Sequence, residues 1–210
     1  MKHFRKSTVV LGKKGTGKTT LAIDIVNRLV EKYPNQKVVV FDPKGQIAKI
    51  TKVYYSYRVC DSLGEFLDRG PIIRQINYKY KSKLKRIDKL ILSKLDWYNL
   101  FNGNVRLLYE YFPKNTIFLI DEVELLAGTG KIDPIISEIM NRGRHNNYTI
   151  IMTSHRYATT AKDVTDLSDY VVLFRLSGYR DLQTIKNWID DQTAEKVKKL
   201  PNYKYIELEV

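Results

Sequence analysis

Cysteine is nearly missing from this sequence: Cys60 stands alone among 210 residues, so no internal disulfide can form and the chain suits a reducing interior. No apolar run approaches the length of a membrane span, and the Lys-rich start MKHFRK leads into a strand-like segment instead of a long signal core. A soluble, intracellular protein without membrane insertion is expected. Acid is also scarce. The 23 Asp+Glu face 36 Lys+Arg, for a formal net charge of +13 and a pI near 9.6. That balance points to a polyanionic partner, nucleic acid first and an anionic membrane surface second, against the plainer account of a well-solvated lysine-rich surface. Internal repeats and low-complexity segments are lacking too, and the length fits one compact domain over residues 1–210.

Strand-like and helix-like periods alternate along the chain, the signature of an α/β fold with a mostly parallel, buried central sheet flanked by helices. Strands are expected at 7–11, 37–42 (KVVVFD), 116–121 (TIFLID), 148–153 (YTIIMT), 170–175 (YVVLFR) and 203–208; the central ones are short and apolar throughout, as strands covered on both sides are. The repeat of Ala22, Ile25, Val26 and Leu29 predicts a helix over 19–32, ended by Pro34 and Asn35. Asp133-Pro134 reads as a helix start, with Ile136, Ile139 and Met140 turned inward and an end near Gly143. Between Gly45 and Pro113 we expect a strand around 72–80 and helical segments within 82–95 and 105–112. Two short helices, 182–188 and 194–200, precede the last strand. Leu176-Ser177-Gly178 resembles a transporter-ATPase signature but lies after the acidic pair described below instead of before it, and reads as a turn.

Residues 12–19, GKKGTGKT, fit G-x-x-x-x-G-K-[ST] with a strand before and an amphipathic helix after. Glycines let successive amides turn toward one centre at the positive end of the helix dipole, which makes a nest for phosphate oxygens. Gly12, Lys13, Lys14, Gly15, Thr16, Gly17, Lys18, Thr19 and Thr20 are therefore candidates for binding a nucleoside triphosphate. Lys18 would reach the β- and γ-phosphates, and the Thr19 hydroxyl would hold Mg²⁺.

In TIFLIDEVE (116–124) four buried-strand residues run into Asp121-Glu122. An Asp at the exposed end of a buried strand can orient Mg²⁺ through its water shell, and the Glu after it is placed to polarise an attacking water. That pairing favours a hydrolase. A small-molecule kinase has no need of the second acid, and the N-K-x-D segment expected of a GTPase is not found.

YKYKSKLKRIDK (78–89) alternates Lys79, Lys81, Lys83 and Lys85, followed by Arg86. In a strand those charges would share one face and could track phosphates without reading bases. A solvated lysine-rich hairpin is the competing account.

With these residues placed, the chain resembles the HerA/FtsK superfamily of ring-forming DNA-pumping ATPases, in particular the small genome-packaging ATPases of viruses and phages. KVVVFDPKG (37–45) is similar to the family's second strand, NRGRHNNYTIIMTSHRY (141–157) to its segment in which an Arg precedes a strand ending in a polar sensor, and DLSDYVVLFRLSGYRD (166–181) to its last core strand. The resemblance implies a RecA-like (ASCE) P-loop NTPase fold, with ATP and Mg²⁺ bound. It places His155 where the family usually has a sensor Gln, although a lone His is more often an ordinary buried or surface residue. It also implies an arginine finger acting in trans on a neighbour's γ-phosphate, Arg144 first and Arg142 second; a helix-end cation complementing the dipole is the duller account.

By that resemblance the protein would be an ATP-driven double-stranded DNA translocase, a viral packaging motor working as a homo-oligomeric ring, pentamer or hexamer, on a capsid portal. It would lie in the cytoplasm of an infected cell and transiently at the procapsid, either as a complete domain or as the N-terminal part of a longer motor. The alternatives are a filamentous-phage assembly or conjugation-type DNA-transfer ATPase and, in a different class, a nucleotide-gated DNA-binding module with negligible turnover.

Overall fold

The computed structural model describes residues 7–34, 36–47, 89–128 and 130–210. In chain order the elements are β1 (Ser7–Leu11), α1 (Lys18–Lys32), β2 (Lys37–Phe41), β3 (Lys89–Leu92), α2 (Lys94–Phe101), α3 (Val105–Tyr111) and β4 (Thr116–Ile120). There follow β5 (Ala127–Gly128), β6 (Lys131–Ile132), α4 (Pro134–Arg142), β7 (Thr149–Ser154), α5 (Lys162–Asp166), β8 (Tyr170–Phe174), α6 (Tyr179–Trp188), α7 (Asp191–Lys199) and β9 (Tyr205–Glu209).

The main sheet among the described residues has the order β3-β2-β4-β7-β1-β8-β9. All neighbours pair in parallel except β8 and β9. Continuous apolar runs in β1, β4, β7 and β8 are buried at every position, because parallel strands are covered on both faces. Alternate residues feed opposite layers. Val39, Phe41, Phe118 and Ile120 join Trp97, Phe101, Phe112 and Ile136 on one side. Val38, Val40, Ile117 and Leu119 meet Ala22, Val26 and Leu29 of α1 on the other. The edge strand β9, in contrast, alternates exposed and half-buried positions. The expected α/β fold with a mostly parallel sheet is borne out.

The structure differs from the sequence expectation in the middle of the chain. The helical segment expected within 82–95 is not what residues 89–92 form: they are strand β3, in register with β2 from Val38↔Lys89 to Phe41↔Leu92. The three-residue apolar run Leu90–Leu92 has no period long enough to separate strand from helix, and pairing along β2 decides it. Helix α2 then starts at Lys94, because Ser93 and Asp96 form a reciprocal capping box: the Ser93 hydroxyl accepts from the Asp96 amide at 3.2 Å and the Asp96 carboxylate from the Ser93 amide at 3.0 Å. Ser93→Ala is expected to cost about 1 kcal/mol, read as a lower urea midpoint with an unchanged slope. An unchanged midpoint would mean that burial of Trp97 and Phe101 alone fixes this helix. The short helix α5 and the β5–β6 hairpin lacked a legible sequence signal, and α6 begins at Tyr179, ahead of the expected 182. The strand expected at 72–80 lies outside the described residues.

Parallel pairing places the C-terminal ends of β2, β4, β7 and β1 side by side along one sheet edge. The segments leaving those four ends carry the phosphate loop, the acidic pair, His155 and Lys44.

Candidate active site

Residues 12–17 join β1 to α1 through a loop pinned to its neighbours. The Gly12 amide donates to the Ser154 carbonyl at 3.2 Å and the Lys13 amide to that of Arg175 at 2.9 Å. Gly17 has φ 103°, in the left-handed region that side-chain-bearing residues avoid, and it opens α1 without a capping side chain or a first-turn acid. The first amides of α1 are thus left for an external anion. Inside the loop the Lys13 carbonyl accepts from the Thr16 hydroxyl at 2.7 Å and from the Lys18 ammonium at 3.0 Å.

Lys14, Gly15, Gly17, Lys18, Thr19 and Thr20 line a cavity of about 290 Å³. Lys44, Gln46, Glu122, His155 and Tyr203 close its sides. Lys18 and Glu122, far apart in sequence, therefore open onto one space. His155 joins them. Its Nδ1 lies 3.2 Å from Lys18 Nζ and its Nε2 2.7 Å from Glu122 Oε1. With Lys18 an ammonium, Nδ1 must accept and Nε2–H must donate, which assigns the tautomer through its partners. Glu122 Oε1 also accepts from Lys44.

Thr153 fixes the acids. Its hydroxyl donates to Asp121 Oδ1 at 2.7 Å and accepts from the Glu122 amide at 3.2 Å. Glu122 itself sits at φ 53°, a strained conformation for a residue with a side chain. Glu124 accepts from the His155 amide at 3.2 Å and so holds the backbone that carries the ring.

The electrostatics follow from burial. Desolvation pushes the Lys18 ammonium below its ordinary pKa, with Asp121, Glu124 and Glu122 acting against it. Burial likewise raises the Asp121 carboxyl, opposed by its bonds from Thr153 and Thr19. For Glu122 burial also pushes upward, but the hydrogen bonds from Lys44 and His155 outweigh it and hold the carboxyl below its usual range. Glu122 is thereby kept ionised, the form that can accept a proton.

The Thr19 hydroxyl donates to Asp121 Oδ1 at 3.2 Å. Two hard oxygen donors beside a phosphate-sized nest fit Mg²⁺, which takes one or two protein oxygens and completes its octahedron with water and substrate phosphate. Thr19 and Asp121 would hold it.

Arg142 and Arg144 lie elsewhere. Both precede β7, at the opposite end of the sheet from the cavity. Arg144 pairs with Asp169 at 2.5 Å, and Asp169 also accepts from the Ser7 amide at the start of β1. Arg142 stands 3.6 Å from Glu138. Strand β7 spans roughly 20 Å at about 3.3 Å per residue, so neither guanidinium reaches the cavity of its own chain. Lys79, Lys81, Lys83, Lys85 and Arg86 lie outside the described residues.

Sequence reasoning missed Lys44, Thr153, Glu124 and Tyr203. Lys44 stands in the Asp-Pro-x-Gly turn after β2 and Thr153 at the end of an apolar strand, both legible as strand-end positions facing the cleft. Tyr203 lies in a turn near the C-terminus with no comparable signal.

The model of the family described as "Helicase HerA, central domain" matches residues 1–63, which include the phosphate loop and KVVVFDPKG. No curated protein matches the chain. Among solved structures, the genome packaging NTPase B204 from Sulfolobus turreted icosahedral virus 2 in complex with sulfate superposes with a TM-score of 0.72 at 19% identity, covering 100% of this chain and 93% of that one. The same NTPase in complex with AMPPCP gives a TM-score of 0.69 at 19% identity over 98% and 92%. B204, the DNA-packaging ATPase from Sulfolobus turreted icosahedral virus, gives 0.70 at 18% identity over 99% and 94%. The resemblance read from the sequence is borne out, by the family model over residues 1–63 and by shared fold over nearly the whole chain.

Proposed function

We propose that this chain is an ATP-hydrolysing double-stranded DNA translocase that packages a viral genome as a homo-oligomeric ring. The observation that carries the reading is the convergence of Lys18, His155 and Glu122 in one cavity beside Thr19 and Asp121. Lys18, held by the Lys13 carbonyl, binds the β- and γ-phosphates, while the loop amides and α1 take the remaining phosphate charge. Mg²⁺, held by Thr19 and Asp121, would supply neutralisation of the triphosphate's charge. Glu122 accepts the proton of a water whose oxygen attacks the γ-phosphorus as the bond to the β-phosphate oxygen breaks. Lys44 and His155 both donate to Glu122 Oε1, and the water's proton can go to Oε2. His155, bonded to both Lys18 and Glu122, then reports the state of the γ-phosphate to the end of β7.

The net charge of +13 supports a polyanionic partner, and the fold shared with a DNA-packaging ATPase supports DNA as that partner; duplex DNA, a capsid portal and the procapsid belong to the packaging setting proposed here. The place of Arg142 and Arg144, at the far sheet end, supports an action in trans and hence a ring. The test is steady-state ATP turnover of the full chain with and without duplex DNA. DNA is expected to raise kcat, and its affinity to fall steeply between 50 and 200 mM salt. Turnover indifferent to DNA at low salt would overturn the translocase reading.

A further inference from the structure

The cavity has a direction that its phosphate-binding end alone does not use. Glu122 and His155 leave the ends of β4 and β7, on one side of the phosphate loop above β1. Strands β8 and β9 lie on the other side, and because β9 runs antiparallel, Phe174↔Tyr205 pairing brings the start of β9 to the same sheet edge. Tyr203, two residues before that pair, therefore stands across the loop from Glu122 while still lining the cavity.

Its position is held from two sides. The Tyr203 amide donates to the Thr16 carbonyl at 3.0 Å, and a Cβ on Gly17 would come within 2.7 Å of Tyr203 Cδ1. The bare glycine is what lets the ring lie against the loop. Tyr203 also has φ 65°, a conformation that costs free energy for any residue with a side chain, and its side of the turn is closed by the Lys204 amide donating to the Pro201 carbonyl at 3.3 Å. Despite this fixed backbone the residue is 69% exposed. An aromatic ring that lies against the loop and is largely exposed where it lines the cavity is a surface for a second planar ring.

Resting on the triphosphate site proposed above, we propose that Tyr203 is the base-binding residue, stacking on the aromatic base of the bound nucleotide. With the γ-phosphate held by Lys18 and facing Glu122 across the attacking water on the β4–β7 side, the ribose and base run toward β8 and β9, where Tyr203 stands. A ring presents a face and reads no hydrogen-bonding edge, so the contact serves adenine and guanine alike.

The test measures dissociation constants by calorimetry for AMPPCP, its guanine counterpart and inorganic tripolyphosphate, with the wild-type chain, Tyr203→Ala and Tyr203→Phe. Tyr203→Ala should weaken both nucleotides roughly 5- to 150-fold and leave tripolyphosphate within about twofold, since the loop and Lys18 are untouched. Tyr203→Phe should restore most of the loss, because the stacking face remains. Ala keeps a Cβ at φ 65°, so the backbone strain is the same, and retained tripolyphosphate binding shows a folded site. Equal AMPPCP affinity in wild type and Tyr203→Ala would overturn the inference. Parallel loss of AMPPCP and tripolyphosphate would overturn it too, showing that Tyr203 only braces the loop through Thr16. A wild-type chain that binds neither ligand would instead sink the triphosphate site on which both readings stand.

Discussion

Glu122→Gln is expected to lower ATP turnover about 10²- to 10⁴-fold, the range a positioned general base contributes, while nucleotide affinity stays near that of the wild type. The substitution keeps the size of the side chain and an oxygen that can accept from Lys44 and His155, so the φ 53° backbone and the Thr153 contact have no reason to move. What it removes is the charge, and with it the ability to take a proton from water. Lys18, Thr19 and the loop amides are unaltered, so binding and chemistry separate. Phosphate-release kinetics alongside a nucleotide-binding measurement check this. Turnover at the wild-type level would assign the base elsewhere, or would fit a DNA-binding module that uses ATP only to order itself.

Under the ring and trans arginine proposed above, Arg144→Ala is expected to reduce turnover by about 10³- to 10⁵-fold, the contribution of an arginine finger. The fold should tolerate the change: the Arg144–Asp169 pair is exposed on the arginine side, such pairs contribute about 0–1 kcal/mol, and Asp169 keeps its bonds from Ser7. Since β7 separates Arg144 from its own cavity, the effect must appear at a neighbour's triphosphate. An equimolar mixture of Glu122→Gln and Arg144→Ala chains should therefore regain activity that neither has alone, because some interfaces combine an intact Glu122 with an intact Arg144. A mixture with no recovery, from variants that still assemble, would remove the trans arginine. Loss in Arg142→Ala with none in Arg144→Ala would transfer the role to its neighbour on the same turn.

Local pattern made the phosphate loop and the acidic pair legible, because the residues proposed to do the chemistry are contiguous and sit at the junction of a buried strand with a helix or turn. The strands around them were legible for the same reason: TIFLI and TIIMTS carry the apolar runs IFLI and IIM, buried on both faces by parallel pairing. Lys89–Leu92 was not, because a short apolar run takes its structure from its neighbour β2. The contacts that join the site were hidden too. Lys44 meets Glu122 and His155 meets Lys18 only because four parallel strands end along one edge, a property of topology that no spacing within the chain encodes. Tyr203 depends on a still more distant event, the return of the chain as an antiparallel edge strand beside β8.

The central claim is that Lys18 and Glu122 serve one triphosphate. A crystal structure of Glu122→Gln soaked with ATP and Mg²⁺ tests it most directly. The account predicts a γ-phosphate oxygen within hydrogen-bonding distance of Lys18 Nζ and a water between the γ-phosphorus and the side chain at position 122. Nucleotide bound away from the loop, or a γ-phosphate that Lys18 holds while position 122 faces a different space, would contradict it.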